Sequence, residues 1–295
     1  MRHFIIICSG MFLFFINAFA YGLSGTYNGF FKGYAEYSTS TFTFFENTYE
    51  MQTYFDDDTI PQKIKNEVVQ TGMGWEYNER GTFELKENNG IFYIEWNNSK
   101  ILSKYIILFN EIQMYLLDNN EAVFSPGVSG NMANIFPNIN DIKASSELRE
   151  NRILYSANNM KRPGLPWVEG VKGYGIGETL TVKIWTYNDE NSPLLAFRGF
   201  VISNGYVQFD KPDLFKKNSR VKSLEIISFN GTKMEFQIDD TSLFQTLLLP
   251  NNMLPTKTGT YEYKIIIKDV YRGDLWEDTC VNIIQCIVPY CYERK

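Results

Sequence analysis

No stretch of this 295-residue chain longer than about ten residues carries apolar side chains at the 3.6-residue spacing of an amphipathic helix. Strand text recurs instead. Gly25–Tyr34 and Thr39–Phe55 are rich in Thr, Phe and Tyr. Gly81–Lys86 alternates and meets Ile91–Trp96 across the hairpin signal Glu87-Asn88-Asn89-Gly90, and Ile101–Phe109 and Ile112–Leu117 follow around Asn110-Glu111. Seven or eight strands joined by short turns describe an antiparallel meander over 21–126, and closure into a small barrel removes its exposed edges. Pro61–Val69 reads as one short helix capping that barrel, and Asp56-Asp57-Asp58 as a solvated turn.

Ser125–Asn140 breaks the pattern with Pro126-Gly127, Ser129-Gly130, Asn134, Pro137, Asn138 and Asn140, so 127–140 reads as a linker. Strands resume at Thr179–Tyr187, Leu194–Ser203, Val221–Ile227, Lys233–Ile238, Phe244–Leu249 and Tyr261–Ile267, with Asn230-Gly231 as a second hairpin signal. The expected fold is all-β: a small barrel, then a second β domain over 141–288 and a short tail over 289–295.

Arg2 and His3 precede an apolar run from Phe4 to Ile16 and the small-residue pattern Ala18-Phe19-Ala20. This is the layout of a secretory signal peptide over 1–20, with Tyr21 as the first mature residue. The run is shorter than the ~20 residues needed to span a bilayer, so the mature chain is expected to be exported to the periplasm, the cell envelope or the medium. Cleavage would remove His3, the one histidine, and turn 28 basic and 34 acidic residues into 27 and 34, a net −7. A chain without histidine has no Ser-His-Asp, Cys-His or His-ligated zinc site, and a mildly acidic chain without a basic block is a poor partner for nucleic acid. Cys280, Cys286 and Cys291 would remain, and in an oxidising compartment two of them can staple the C-terminal tail. Which two pair is open.

Gly173-x-Gly175-x-Gly177 lacks the preceding strand and following helix of a dinucleotide site, so these glycines are assigned to backbone bending. Asn218-x-Arg220-x-Lys222 places three polar side chains at same-face spacing, and an Arg220 fork suits sugar hydroxyls or a carboxylate. Tyr187, Tyr206 and Trp276 stand by turns, where aromatic rings can stack on the apolar faces of a sugar. Asp239-Asp240, and Asp274, Glu277 and Asp278, are the carboxylate groups from which a glycosidase could be built. The first are neighbours in a turn, and catalysis is not the expected activity.

Residues Ile142 to Ile284 resemble a discoidin-like (coagulation factor 5/8 type C, galactose-binding-like) domain, of the version attached to secreted bacterial NAD glycohydrolases. The likeness rests on Ala144-Ser145-Ser146 with Tyr155-x-Ala157-x-Asn159, on Pro166-Trp167-Val168-Glu169-Gly170, and on Gly173-x-Gly175-Ile176-Gly177-Glu178. Asn204-Gly205-Tyr206, Asn218-x-Arg220-x-Lys222, Asp269-Val270-Tyr271 and Asp278-Thr279-Cys280 complete it, in order. The resemblance implies a jelly-roll β-sandwich whose ligand loops cluster at one end, with Trp167 in the core, Glu169 holding a backbone amide or a cation, and Gly170 and Asp278 as further structural positions. It also implies a glycan-binding and translocation role. Such domains commonly hold a structural cation, but their Asp-Gly pair before the Trp is replaced by Asn158-Asn159-Met160-Lys161-Arg162-Pro163-Gly164, and Asn282-Ile283 stands where they carry Ser-Glu. No metal or cofactor is therefore expected. The NAD-hydrolysing domain is not evident, and the N-terminal half, from Gly25-Thr26-Tyr27, is similar to a lipocalin only in pattern. The expectation is a non-catalytic protein binding a glycan or cell-surface glycoconjugate through Arg220, Tyr206, Asn218, Lys222, Tyr187 and Trp276. The alternatives are a structural, protein-binding envelope component and, more remotely, a carboxylate glycosidase.

Overall fold

The computed structural model describes residues 23–31, 39–55, 60–72, 74–110, 113–119, 121–126, 137–188 and 196–287. The expected signal peptide, Asp56–Asp58, most of the expected linker, the loop 189–193 and the tail with Cys291 lie outside the described residues. The first nine strands are β1 (Gly25–Phe31), β2 (Thr39–Phe45), β3 (Thr48–Phe55), β4 (Val69–Thr71), β5 (Gly74–Asn88), β6 (Ile91–Asn97), β7 (Tyr105–Phe109), β8 (Met114–Asp118) and β9 (Glu121–Pro126). They run antiparallel in the order β3-β2-β1-β9-β8-β7-β6-β5-β4, and β3 also pairs with β5, which closes an eight-stranded barrel with β4 on its margin. Closure leaves eight strands without a free edge. The β5–β6 turn is the two-residue type that matches strand twist, with Asn89 at φ 55° and Gly90 at φ 87°.

The expected Pro61–Val69 helix is not formed. Only Gln62–Ile64 makes a 3-10 turn, which buries Ile64. Val69 is drawn into β4 against Glu76 of β5, and too few residues remain to offset helix nucleation.

Glu79 of β5 receives four hydrogen bonds: Tyr49 Oη at 2.6 Å and Ser99 Oγ at 2.5 Å on Oε1, Tyr77 Oη at 2.7 Å and the Lys100 N–H at 3.0 Å on Oε2. Burial acts to raise its carboxyl, but the Ser99, Tyr49, Lys100 and Tyr77 donors outweigh it and hold the group below the usual carboxylate range. Glu79→Ala would leave two buried phenols without an acceptor. We expect a loss of about 2–4 kcal/mol in urea unfolding, and a loss under about 1 kcal/mol would show that water replaces the carboxylate.

The second half comprises β10 (Asn138–Ala144), β11 (Arg149–Glu150), β12 (Ile153–Leu154), β13 (Trp167–Val168), β14 (Thr179–Thr186), β15 (Gly199–Asn204), β16 (Ser219–Ile227), β17 (Lys233–Gln237), β18 (Phe244–Leu248), β19 (Gly259–Tyr271) and β20 (Thr279–Cys286), with a short helix α1 (Asp213–Lys217). One layer runs β10-β14-β19-β16 with β17 on β16; the other holds β13, β20, β15 and β18. A two-residue parallel pairing, Ser219 with Thr279 and Arg220 with Cys280, joins the layers. The result is a β-sandwich.

Burial explains how the halves meet. In β7, Tyr105, Ile107 and Phe109 face the barrel core, while Ile106 and Leu108 face a second cluster. Ile91 and Tyr93 of β6 and Tyr115 and Leu117 of β8 join that cluster, with Val201 of β15, Phe215 of α1, Phe244 of β18 and Ile283 of β20 from the sandwich. Phe200 and Ile202 meanwhile face the sandwich core. Barrel and sandwich thus share a third hydrophobic core. Polar contacts frame it: Tyr93 Oη donates to Phe209 O (3.1 Å), Gln285 Nε2 to Tyr115 Oη (2.7 Å) and Ser242 N to Gly90 O (3.1 Å). Leu243 reaches further and packs with the barrel interior.

Candidate functional site

The connections 145–178, 205–218 and 272–278 emerge at one end of the sandwich, as the registers require. β16 begins where β19 ends (Arg220 opposite Tyr271), β20 begins beside Ser219, and β15 ends at Asn204 opposite Val281. Asn204 fixes this end from inside, accepting from Val221 N (3.0 Å) and donating to Val221 O (2.7 Å).

Arg220 is not the exposed fork that same-face spacing predicts. It is 4% exposed, and its donors are engaged: Nε and Nη2 grip Asp240 at 2.8 and 3.0 Å, and Nη1 reaches Asn218 O at 2.6 Å and Lys216 O at 3.2 Å. Its guanidinium lies 5.4 Å from the Phe215 ring centre. A buried guanidinium needs a paired anion, and Asp240 supplies it. Lys216 Nζ adds a third contact to the same carboxylate at 2.7 Å. Burial pushes the Asp240 carboxyl up, but Arg220 and Lys216 overcome it and hold the group below its ordinary range. Asp240 is thus an ionised partner rather than the raised-pKa acid that a glycosidase needs.

The remaining candidates separate. Asn218 is buried, its Nδ2 donating to Leu214 O at 2.9 Å. Lys222 is exposed on the flank of β16, paired with Asp269 at 2.7 Å. Tyr187 lies at the opposite end, because Thr186 pairs with Gly259 at the far end of β19. Tyr206 and Trp276 stay at the loop end. Tyr206 packs edge-on against Tyr155 (6.1 Å, 64°), and burial, then the hydrogen bond with Tyr155, raises its phenol. Trp276 is 40% exposed beside the more exposed Leu275, with its backbone N–H donating to Lys217 O (2.9 Å) and Lys217 Nζ 6.0 Å from its ring. Arg272 covers the Tyr174 ring at 5.0 Å. Burial, Glu150 and Glu277 together raise the Asp278 carboxyl.

Tyr174 and Arg272 are site neighbours that sequence reasoning missed, while Tyr155 was read only as a motif position and Asp240 only as a candidate glycosidase carboxylate. Arg272 directly follows the Asp269-Val270-Tyr271 block and was readable there. Asp240 lies twenty residues from Arg220, and nothing local pairs them.

Trp167 is fully buried, its Nε1 donating to Ser146 O at 3.0 Å. Gly170 N donates to Ser146 Oγ at 2.9 Å, and a Cβ at Gly170 would lie 2.6 Å from Glu147 O. Gly173, Gly175 and Gly177 all have positive φ (103°, 63° and 95°), so this segment is bent backbone before β14. Cys280 and Cys286 are buried free thiols. Six residues apart on one strand they stand roughly 20 Å from each other, beyond any disulfide, so a bridge between those two is excluded.

The residues do not fit the structural cation that the resemblance implies. Asn158 is committed to Ile142 N and Asp141, and buried Asn282 donates to Ser203 Oγ. Among the described residues no group of three or more His, Cys, Asp or Glu side chains could hold a metal, and no helix is long and apolar enough to cross a membrane.

A family model described as the NAD glycohydrolase translocation F5/8 type C domain matches residues 136–286. No curated protein matches the sequence. Among solved structures, a two-domain protein of unknown function from Bacteroides fragilis NCTC 9343 aligns at 10% identity over 89% of this chain and 94% of that one, with a TM-score of 0.29. An exo-β-1,3-galactanase from Phanerochaete chrysosporium, solved with galactose, aligns at 9% identity over 88% of this chain and 68% of that one, with a TM-score of 0.24.

Proposed function

This chain belongs to the NAD glycohydrolase translocation F5/8 type C domain family, and from that premise we propose that it is an exported, non-catalytic protein that binds a carbohydrate or surface glycoconjugate. The family is a carbohydrate-binding or translocation module associated with secreted proteins. The observation that carries the reading is the set of rings at the loop end of the sandwich. Trp276 offers an exposed indole, Tyr206 a phenol on the connection that buried Arg220 holds through Lys216 O and Asn218 O, and Tyr174 a ring under Arg272. A sugar would stack its C–H face on Trp276 and take polar contacts from Arg272 and the neighbouring loop backbone.

Glycan-array binding of the exported chain tests this. Binding is expected to survive EDTA and to weaken at least tenfold in Trp276→Ala, the scale of an aromatic hot spot. Retained binding in that variant would move the site away from the loop end.

One observation favours a second reading. Arg220 spends its donors internally, so the fork on which sugar recognition was to rest is structural. An interaction module that keeps the fold and has lost the sugar site is consistent with this. An empty glycan array, together with a protein that co-purifies stoichiometrically and is released by Trp276→Ala, would decide for that module.

A further inference from the structure

Glu169 follows β13 and has no solvent exposure. Its N–H donates to Thr279 O at 3.2 Å, and its Oε2 accepts from Val171 N at 2.7 Å. Its Oε1 is buried without a hydrogen-bond partner. The loop 170–177 closes on this side chain: a Cβ at Gly175 would lie 2.7 Å from Glu169 Cγ. No strand runs through the loop, which is held by separate hydrogen bonds: Gly170 N donates to Ser146 Oγ (2.9 Å), Thr279 Oγ1 to Tyr174 O (2.8 Å), Glu178 N to Gly175 O (3.1 Å) and Gly177 N to Ile267 O (2.8 Å). Its three positive-φ glycines give it articulation, and it carries the exposed side chains of Val171 and Ile176.

The charged surroundings do not supply a counterion. Asp278, ahead of β20, and Glu178, ahead of β14, both act on Glu169, and the Cys280 thiol lies near it on β20. Glu147 is turned to Ser156 Oγ and Ala157 N, Arg272 covers Tyr174, Arg220 is committed to Asp240, and Lys172 of the loop is exposed. Burial pushes the Glu169 carboxyl up to about 7; the Val171 and Thr279 amides oppose this, and Asp278 and Glu178 add to it. A buried carboxylate with one bare oxygen is tolerable when neutral and costly when ionised.

We propose that the loop 170–177 is a proton-controlled latch, closed over neutral Glu169 and released when Glu169 ionises, so that Tyr174 and Ile176 leave the edge of the candidate site. Release lets water reach Oε1, and the glycines permit it without disturbing β13 or β14.

Hydrogen exchange of the full chain, corrected for intrinsic rates, tests the latch. Protection of the 170–177 amides is expected to fall at least tenfold between pH 6 and pH 8.5 with a midpoint near 7. In Glu169→Gln it is expected to be equal at both pH values. Unchanged protection in the unaltered chain, or the same pH response in Glu169→Gln, overturns the proposal. So does full protection at pH 8.5 on adding 1 mM calcium chloride, since a cation would then neutralise the carboxylate. Should Glu169→Gln fail to fold, the midpoint in the unaltered chain decides, and a value below about 5.5 overturns the latch.

Discussion

Arg220→Ala is expected to destabilise the chain by about 3–5 kcal/mol in urea or thermal unfolding, the range for breaking a buried ion pair from one side. Asp240 would keep only Lys216, and Asn218 O and Lys216 O would lose a buried donor. The double variant Arg220→Ala/Asp240→Ala should cost less than Arg220→Ala alone, because it leaves no unpaired carboxylate. A loss below about 1 kcal/mol combined with lost glycan binding would return Arg220 to the role of a ligand-gripping residue. The pH profile gives a second readout. Asp240 is held below the usual carboxylate range, so its contribution is present above about pH 4 and is lost as pH falls through the folded-state value. Arg220→Ala should flatten that acid limb. Glu169 has the opposite sign. Raised from 4.5 to about 7, it favours the fold fully below about pH 4.5, and that advantage disappears as pH climbs towards 7, on the order of 3 kcal/mol at most. Glu169→Gln should therefore gain stability over the unaltered chain at pH 8 and little at pH 5.

Phe215→Ala is expected to cost about 3–5 kcal/mol, as for other fully buried phenylalanines, and to lower Tm by about 10 °C for a protein of this size. Phe215 lies in the core shared by barrel and sandwich, against Gly90 of the barrel turn and Gly205 of the sandwich. A Cβ at Gly90 or Gly205 would come within 2.5 and 2.6 Å of its ring. Its loss should therefore weaken both halves together. A calorimetric trace that splits into two transitions would show that Phe215 is what couples the halves. An unchanged Tm for one half would show that half to be independent of the shared core.

Much of the fold was legible because strands and turns announce themselves locally. Asn89-Gly90 is a two-residue turn with both φ positive, the Thr/Phe alternation of β2 points Phe42 and Phe44 inward, and Trp167 sits in the core. The shared core was written in the sequence too, in a form that went unread. Tyr105–Phe109 and Met114–Leu117 are apolar at every position, and a strand that is apolar on both faces is covered on both faces. The site was less legible. Same-face spacing in Asn218-x-Arg220-x-Lys222 holds only for an unbroken strand, and β16 shifts register between Val221 and Ser223. Arg220 consequently turns in while Lys222 turns out.

By itself, the sequence determined the strand periods, the turns, the family blocks and a chain whose one histidine is His3. These are local properties, set by side-chain alternation and backbone preference within a few residues. The tertiary structure alone decided which polar groups are available. Arg220 meets Asp240 across twenty residues, Glu169 is buried beneath the loop 170–177, and Tyr187 and Trp276 go to opposite ends of the sandwich. Burial and pairing depend on contacts between distant segments, so a residue's chemistry is assigned only once the chain has closed around it.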